Sequence, residues 1–294
     1  MRRGRYYLGR VVKTGQLNQE MLRTAIIEAP TVPVAGALWT ITDTLDETHR
    51  KNPFIFGRLS KYSREGQLTV VDPVAHSQVD ATAENLLIAA SPFIYLPDFS
   101  GIAYLHVWNG VQEEVFRRRF SRVIEEAHQR FFVGCEVDPV ADYRAFVTKL
   151  TALEKILEIR AKVHPPNPLF GDLWRDLNEY IRQRNASEVV VAEKSDQESG
   201  LTTQIVALIR GILSKATGHI EKPAAITDAA LLMAADGYGS GKVIGQKENE
   251  QVVIRTSDTQ KNFLHSKEPD VEELALIVRR KFETISEERD MGHG

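Results

Sequence analysis

Cysteine is almost missing from this chain. Cys135 stands alone among 294 residues, which excludes an internal disulfide and any thiolate zinc cluster. Its apolar setting, Phe132-Val-Gly-Cys135, predicts a buried, inert thiol rather than a nucleophile. Long apolar runs are missing too: none approaches the roughly 20 residues of a helical membrane span. Arg2, Arg3, Arg5 and Arg10 make the N-terminus basic, but no apolar stretch follows them as a secretory signal requires. A reducing cytoplasm is the expected compartment. Nor is there an excess of positive charge. A net charge of −3 and a pI near 6.3 exclude whole-chain polybasic binding, so any polyanion site has to be a local patch.

Signatures of catalysis are equally scarce. The eight histidines contain no His-x-x-x-His pair and none lies beside acids at ligand spacing. Asp138-Pro139 and Glu193-Lys194 lack the carboxylate spacing of a metal-dependent nuclease, Asp172 and Asp176 stand one turn apart on an expected helix, where the dipole alone favours acids, and no Ser–His–Asp set can be assembled. The expectation is no catalytic residue, no cofactor and no metal.

What is present is an ordinary globular composition, 43% hydrophobic and 26% charged, with a length that suits about two domains. The most readable stretch is Gly101–Val137. Gly101–Trp108 alternates as a strand, with Ala103, Leu105 and Val107 on one face and Ile102, Tyr104, His106 and Trp108 on the other. Asn109-Gly110 breaks it. Phe116, Phe120, Val123, Ile124 and Ala127 then recur at helical spacing, with Arg117, Arg118 and Arg122 on the opposite side. Phe131–Val137 returns as a short apolar strand.

Elsewhere the spacing predicts strands at Tyr6–Lys13, Ala37–Leu45, Pro53–Tyr62 and Glu84–Leu96, the last broken by Pro92. A hairpin turn is expected at Arg64-Glu-Gly66, leading into a strand at Leu68–Val71. Leu17–Glu28 and Ala141–Leu150 read as helices, and Leu153–Val163 as extended. His164-Pro-Pro-Asn-Pro168 forbids helix and central strand and marks a joint. Beyond it come a helix at Phe170–Gln183, a strand at Glu188–Glu193, and helices at Leu201–Lys215 and Ile226–Ala235. A hairpin of Lys242–Lys247 with Gln251–Thr256 and a last helix, Val271–Ile285, complete the chain. The fold class expected is α+β. A ferredoxin-like, split βαβ domain would cover residues 1–163, and a smaller α/β domain residues 164–294.

Three features bear on function. Tyr104, His106 and Trp108 share a strand face, as do Phe54, Phe56 and Arg58. Such rings either stack on bases, at about 1–3 kcal/mol each, or fill a core beneath a second layer. The arginines at 2, 3, 5, 10, 117, 118 and 122 are phosphate-contact candidates, although Glu113, Glu114, Glu125 and Glu126 stand at pairing distance on the helix. Asp236-Gly-Tyr-Gly-Ser-Gly-Lys242 is glycine-rich, but a helix precedes it and Val243 follows the lysine, which is not the context of a phosphate-binding loop. It reads as a helix stop leading into a flexible turn whose Lys242 can touch a phosphodiester.

From Ile156 to Trp174 an extended segment runs into Leu169-Phe-Gly-Asp172, and an earlier half carries short strands and a hairpin such as Phe54–Val71. In this order of elements the chain resembles the bacterial phage-exclusion proteins typified by the lambda Rex protein A. The triple-proline joint and the Gly-Tyr-Gly hairpin depart from that pattern. The resemblance implies a cytoplasmic, dimeric, DNA-binding component of prophage-encoded defence, with no catalytic residues to carry over. The reading that combines these features is a non-enzymatic protein that binds DNA or RNA in bacterial antiviral defence. Its candidate contacts are Arg2, Arg3, Arg5, Arg10, Arg58, Tyr104, His106, Trp108, Arg117, Arg118, Arg122 and Lys242. A scaffold subunit with a protein partner from the same system, or a metal-dependent nuclease, are the alternatives.

Overall fold

Strand β1 (Arg3–Gly15) is long enough to be shared by three neighbours, and that sharing organises the first sheet. Its residues 6–10 pair with β6 (Gly101–Leu105) along one edge. The other edge is divided between β12 (Asn262–Ser266) and β7 (Val133–Pro139). The computed structural model describes residues 2–165, 175–214 and 225–289. Beyond β6 follow β5 (Ser77–Leu96), β4 (Ile55–Asp72), β3 (Ala37–Asp46) and β2 (Val32–Val34), all antiparallel.

Both faces of this curled sheet are covered. Helix α1 (Gln19–Ile27) and helix α2 (Glu113–Ala127) seal one side, where Phe116, Phe120, Val123 and Ile124 meet Phe93, Ile102 and Tyr104. Helix α7 (Val271–Arg289) seals the other, setting Leu274, Val278, Phe282 and Ile285 at helical spacing against Leu8, Ile94, Ala103 and Leu105.

Two strand expectations need correction. The turn expected at Arg64-Glu-Gly66 is not there: β4 runs through it to Asp72, with Gly66 opposite Ala83 on β5. The chain turns at residues 73–76 instead, where Asp72 Oδ1 accepts from the Val74 and Ala75 amides and His76 takes a left-handed φ of 50°. An aspartate that caps its own turn outweighs a glycine placed within a strand. Pro92 likewise does not break β5, where it stands opposite Arg58.

The second sheet has the order β11-β10-β8-β9, built from β8 (Lys155–Val163), β9 (Val189–Lys194), β10 (Gly239–Lys247) and β11 (Glu250–Arg255). Helices α3 (Tyr143–Thr151), α4 (Arg175–Gln183), α5 (Ile205–Ser214) and α6 (Ile226–Ala235) share one apolar core with a single face of it. Gly241 allows this packing, because a Cβ there would lie 2.5 Å from Leu231 Cδ1 on α6. The fold is therefore mixed α/β, two antiparallel sheets with helices. The division expected after residue 163 falls at the end of β8, while β12 and α7 return to the first sheet. The Pro165–Pro168 joint lies almost wholly outside the described residues, as do the Leu169–Asp172 string and the start of the Phe170–Gln183 helix.

A buried polar knot joins the sheets. Asp236, just after α6, pairs with Arg289 of α7 and accepts from the Tyr143 hydroxyl of α3 at 2.9 Å. Arg10 of β1 donates to the Asp236 carbonyl at 2.9 Å and to the Phe99 carbonyl at 2.6 Å.

Candidate functional site

Residues directly opposite in an antiparallel ladder share a face. In the second sheet Lys162 stands opposite Ser240, Arg160 opposite Lys242, and Lys242 opposite Arg255. One face of β8, β10 and β11 therefore presents Arg160, Lys162, Ser240, Lys242 and Arg255. The intervening Ile159, Ala161, Val163, Val243 and Ile254 point into the core. Strand alternation thus produces a cationic face from sequences that are only half polar.

That face meets the β7 edge of the first sheet. Arg117 from α2, with Asp138 and Pro139 from β7, closes a cavity of about 310 Å³ over Arg160, Lys162, Lys242 and Arg255. Lys242 Nζ pairs with Glu158 at 3.0 Å, and Lys162 Nζ pairs with Glu136 at 3.2 Å and Glu188 at 3.1 Å. Arg117, Arg160 and Arg255 make no ion pair among the described residues. Arg117 Nε donates only to the Glu113 carbonyl, at 3.4 Å.

Asp138, which lines the groove, belongs to a cluster with Glu136 and His164 in which one ligand-type atom from each lies within 4.8 Å of the others. His164 Nδ1 lies 3.0 Å from the Ser187 carbonyl, and its Nε2 is 3.6 Å from Glu136 Oε2. Burial and the neighbouring Glu136 charge push the Asp138 carboxyl well above the usual carboxylate range. The adjacent His164 imidazole and Lys162, against the cost of partial burial, hold Glu136 below it.

A larger cavity of about 390 Å³ lies between α7 and β5. Its arginines are already engaged, Arg50 with Glu47 and Glu272, and Arg279 with Asp98. The groove is the better candidate because three of its cations, Arg117, Arg160 and Arg255, make no such pair among the described residues.

Of the residues expected from sequence, Arg117 and Lys242 line the groove. Arg2, Arg3 and Arg5 are exposed, without ion pairs among the described residues. Trp108 is 76% exposed, at the α2 end that carries Arg117. Its ring is 4.8 Å from His106, whose Nδ1 is 2.6 Å from Glu113.

The other placements are corrections. Tyr104 is fully buried, stacked on Phe116 with ring centroids 4.1 Å apart, because α2 covers the aromatic face of β6. Its hydroxyl accepts from Gln260. His106 is largely enclosed and occupied by Glu113. Arg10 is buried in the polar knot, its guanidinium over the Tyr238 and Phe282 rings. Arg58 lies on the Phe56 ring and pairs with Asp43 and Glu268. Arg118 and Arg122 pair along the helix with Glu114 and Glu126. The glycine-rich stretch is no flexible turn: Gly237, at a left-handed φ of 86°, follows α6, and β10 is already paired from Gly239. Cys135 is buried and its thiol pushed up by burial, as the sequence led us to expect.

Sequence reasoning missed Arg160, Lys162 and Arg255. The signal was available, since Leu153–Val163 and Gln251–Thr256 read as strands and these cations alternate with apolar residues. It also missed Glu136 and His164, for which no local signal exists, because the residues that converge are far apart in the chain. Comparison with curated proteins finds no match to this chain. The model of one family, described as a domain of unknown function (DUF4747), matches residues 19–283. That span includes every residue of the groove, and the chain belongs to the DUF4747 family.

Proposed function

We propose that the chain binds single-stranded nucleic acid in the groove between its sheets. The single observation that carries the reading is the cationic cavity, which Arg117, Arg160 and Arg255 line without an ion pair among the described residues. Guanidinium groups in that condition are free to take phosphate oxygens in bidentate geometry. A single strand is favoured over a duplex because the cations line a confined cleft rather than a broad convex surface. Trp108 at the same end of α2 offers a ring for a base. The earlier picture of an aromatic strand platform is replaced by a cationic sheet face.

Two finer expectations belong to this proposal. A ferredoxin-like reading of the first sheet is supported by the order β7-β1-β6-β5, in which α2 connects two parallel strands that flank β1, with α1 on the same side. A place in antiviral defence, inside the cytoplasm, is supported by the resemblance to phage-exclusion proteins alone. A second reading, a scaffold subunit, is favoured by the exposed Val70, Val71, Val74, Leu87 and Ile88 on the β4–β5 arm.

The test is a mobility-shift titration with single- and double-stranded DNA and RNA at two salt concentrations, with and without magnesium. Single strands should shift at low salt and be released as salt rises. Absence of any shift at low salt overturns the proposal, and a salt-insensitive, co-purifying protein partner favours the scaffold.

A further inference from the structure

We infer that Glu136, Asp138 and His164 form a binding site for one divalent transition-metal cation, opening onto the groove. The three donor atoms come from two segments, β7 and the residue that follows β8, and converge within 4.8 Å. Two of them are orphans. Asp138, 8% exposed, has a buried Oδ2 with no hydrogen-bond partner, and His164, 2% exposed, has a buried Nε2 with none. Buried polar atoms in folded proteins are nearly always satisfied, so an unsatisfied Asp138 Oδ2 beside a His164 Nε2 whose nearest acid, Glu136 Oε2, is 3.6 Å away leaves a place for a common partner.

The surroundings define what that partner is. His164 Nδ1 donates its proton to the Ser187 carbonyl at 3.0 Å. In the neutral ring this leaves the Nε2 lone pair facing the carboxylates, the arrangement in which a backbone carbonyl orients a metal-binding histidine. Lys162 takes Glu136 Oε1, so Oε2 is the oxygen turned towards His164. A divalent cation between the three donors replaces the protons otherwise shared among them. Ligand atoms about 2.1 Å from a metal stand about 3–4 Å apart, within reach of small side-chain rotations here. One imidazole and two carboxylates, with no thiolate, suit Mn²⁺, Fe²⁺ or Zn²⁺ rather than Cu⁺.

Asp138 also lines the groove beside Arg117 and Lys162, so a cation held there is a neighbour of the place where a phosphate would lie. That consequence alone rests on the nucleic-acid reading; the metal site does not. If both hold, a phosphate oxygen completes the coordination shell, and Mn²⁺ and oligonucleotide each tighten the binding of the other.

The experiment uses Mn²⁺ alone, followed by electron paramagnetic resonance as the free-ion signal is lost, on the full chain without nucleic acid. The wild type should take up one Mn²⁺ per chain, and D138N and H164Q should each weaken it at least tenfold. Saturating Mn²⁺ should raise the wild-type Tm by clearly more than that of D138N. Should a variant not fold, paramagnetic broadening of the His164 imidazole resonance in the wild type gives the same answer. No Mn²⁺ or Zn²⁺ uptake at millimolar concentration, equal uptake by D138N, or an unbroadened His164 overturns the site. An R160A/R255A variant separates the two proposals: it should lose oligonucleotide affinity and keep Mn²⁺.

Discussion

Replacing Arg160 and Arg255 by alanine should flatten the salt dependence of single-strand binding. Both side chains are exposed on the open face of the second sheet, and neither has an acidic partner among the described residues. Each phosphate neutralised on a single strand contributes about −0.7 to the slope of log K against log salt. With Arg117, Arg160 and Arg255 as the unpaired cations, the wild-type slope is about −2, and a rise from about 50 to 200 mM salt weakens binding roughly 20-fold. With Arg117 alone, the slope becomes about −0.7 and the loss roughly threefold. Lys162 and Lys242 add less, because each exchanges a carboxylate partner for phosphate rather than only releasing a counterion. Fluorescence anisotropy of a labelled oligonucleotide at several salt concentrations reads the slope directly. R118A is the control, since Arg118 is paired with Glu114 and does not line the groove, and it should keep the wild-type slope. A double variant with an unaltered slope would refute the assignment of these guanidinium groups to phosphate.

Three further outcomes follow from the geometry. W108A should cost about 1–3 kcal/mol of single-strand affinity if the exposed ring stacks on a base, whereas Y104F should leave affinity unchanged and lower only stability, through the lost bond with Gln260; equal effects on affinity would contradict the burial difference. R289M should destabilise the fold by roughly 3–5 kcal/mol in chemical denaturation, because the buried Asp236 carboxylate loses its ion-pair partner, and D236N/R289M should recover much of it; no recovery in the double variant rejects the pair. Burial lowers the Lys13 pKa to about 8, so the unfolded chain holds this proton more tightly than the native state. The resulting cost is complete below pH 8 and fades as pH rises towards the ordinary lysine value, so the stability of K13M relative to the wild type should be highest below pH 8 and fall by about pH 10; denaturation curves with a pH-independent difference would refute it.

Much of the architecture was legible locally. Period-two and period-3.6 patterns located β1, β3, β6, β7, β8 and helices α2, α6 and α7 to within a few residues, because the periodicity of side-chain direction belongs to the backbone itself. They failed at Gly66 and Pro92, where cross-strand pairing along a long hairpin overrode local turn and breaker signals. The candidate site was less legible. Tyr104 and Trp108 carry the same face label in sequence, yet one is sealed by α2 and the other stands in solvent, just beyond the end of β6.

The sequence by itself determined which residues are inward on each element, that Cys135 is an inert thiol, and that any polyanion site must be local. Only the tertiary structure decided which of those faces stayed open and which cations stayed unpaired. It also brought Glu136 and Asp138 of β7 to His164 beyond β8. Periodicity gives each element two sides, but what covers a side, and which distant side chain meets it, depends on pairings between strands far apart in the chain.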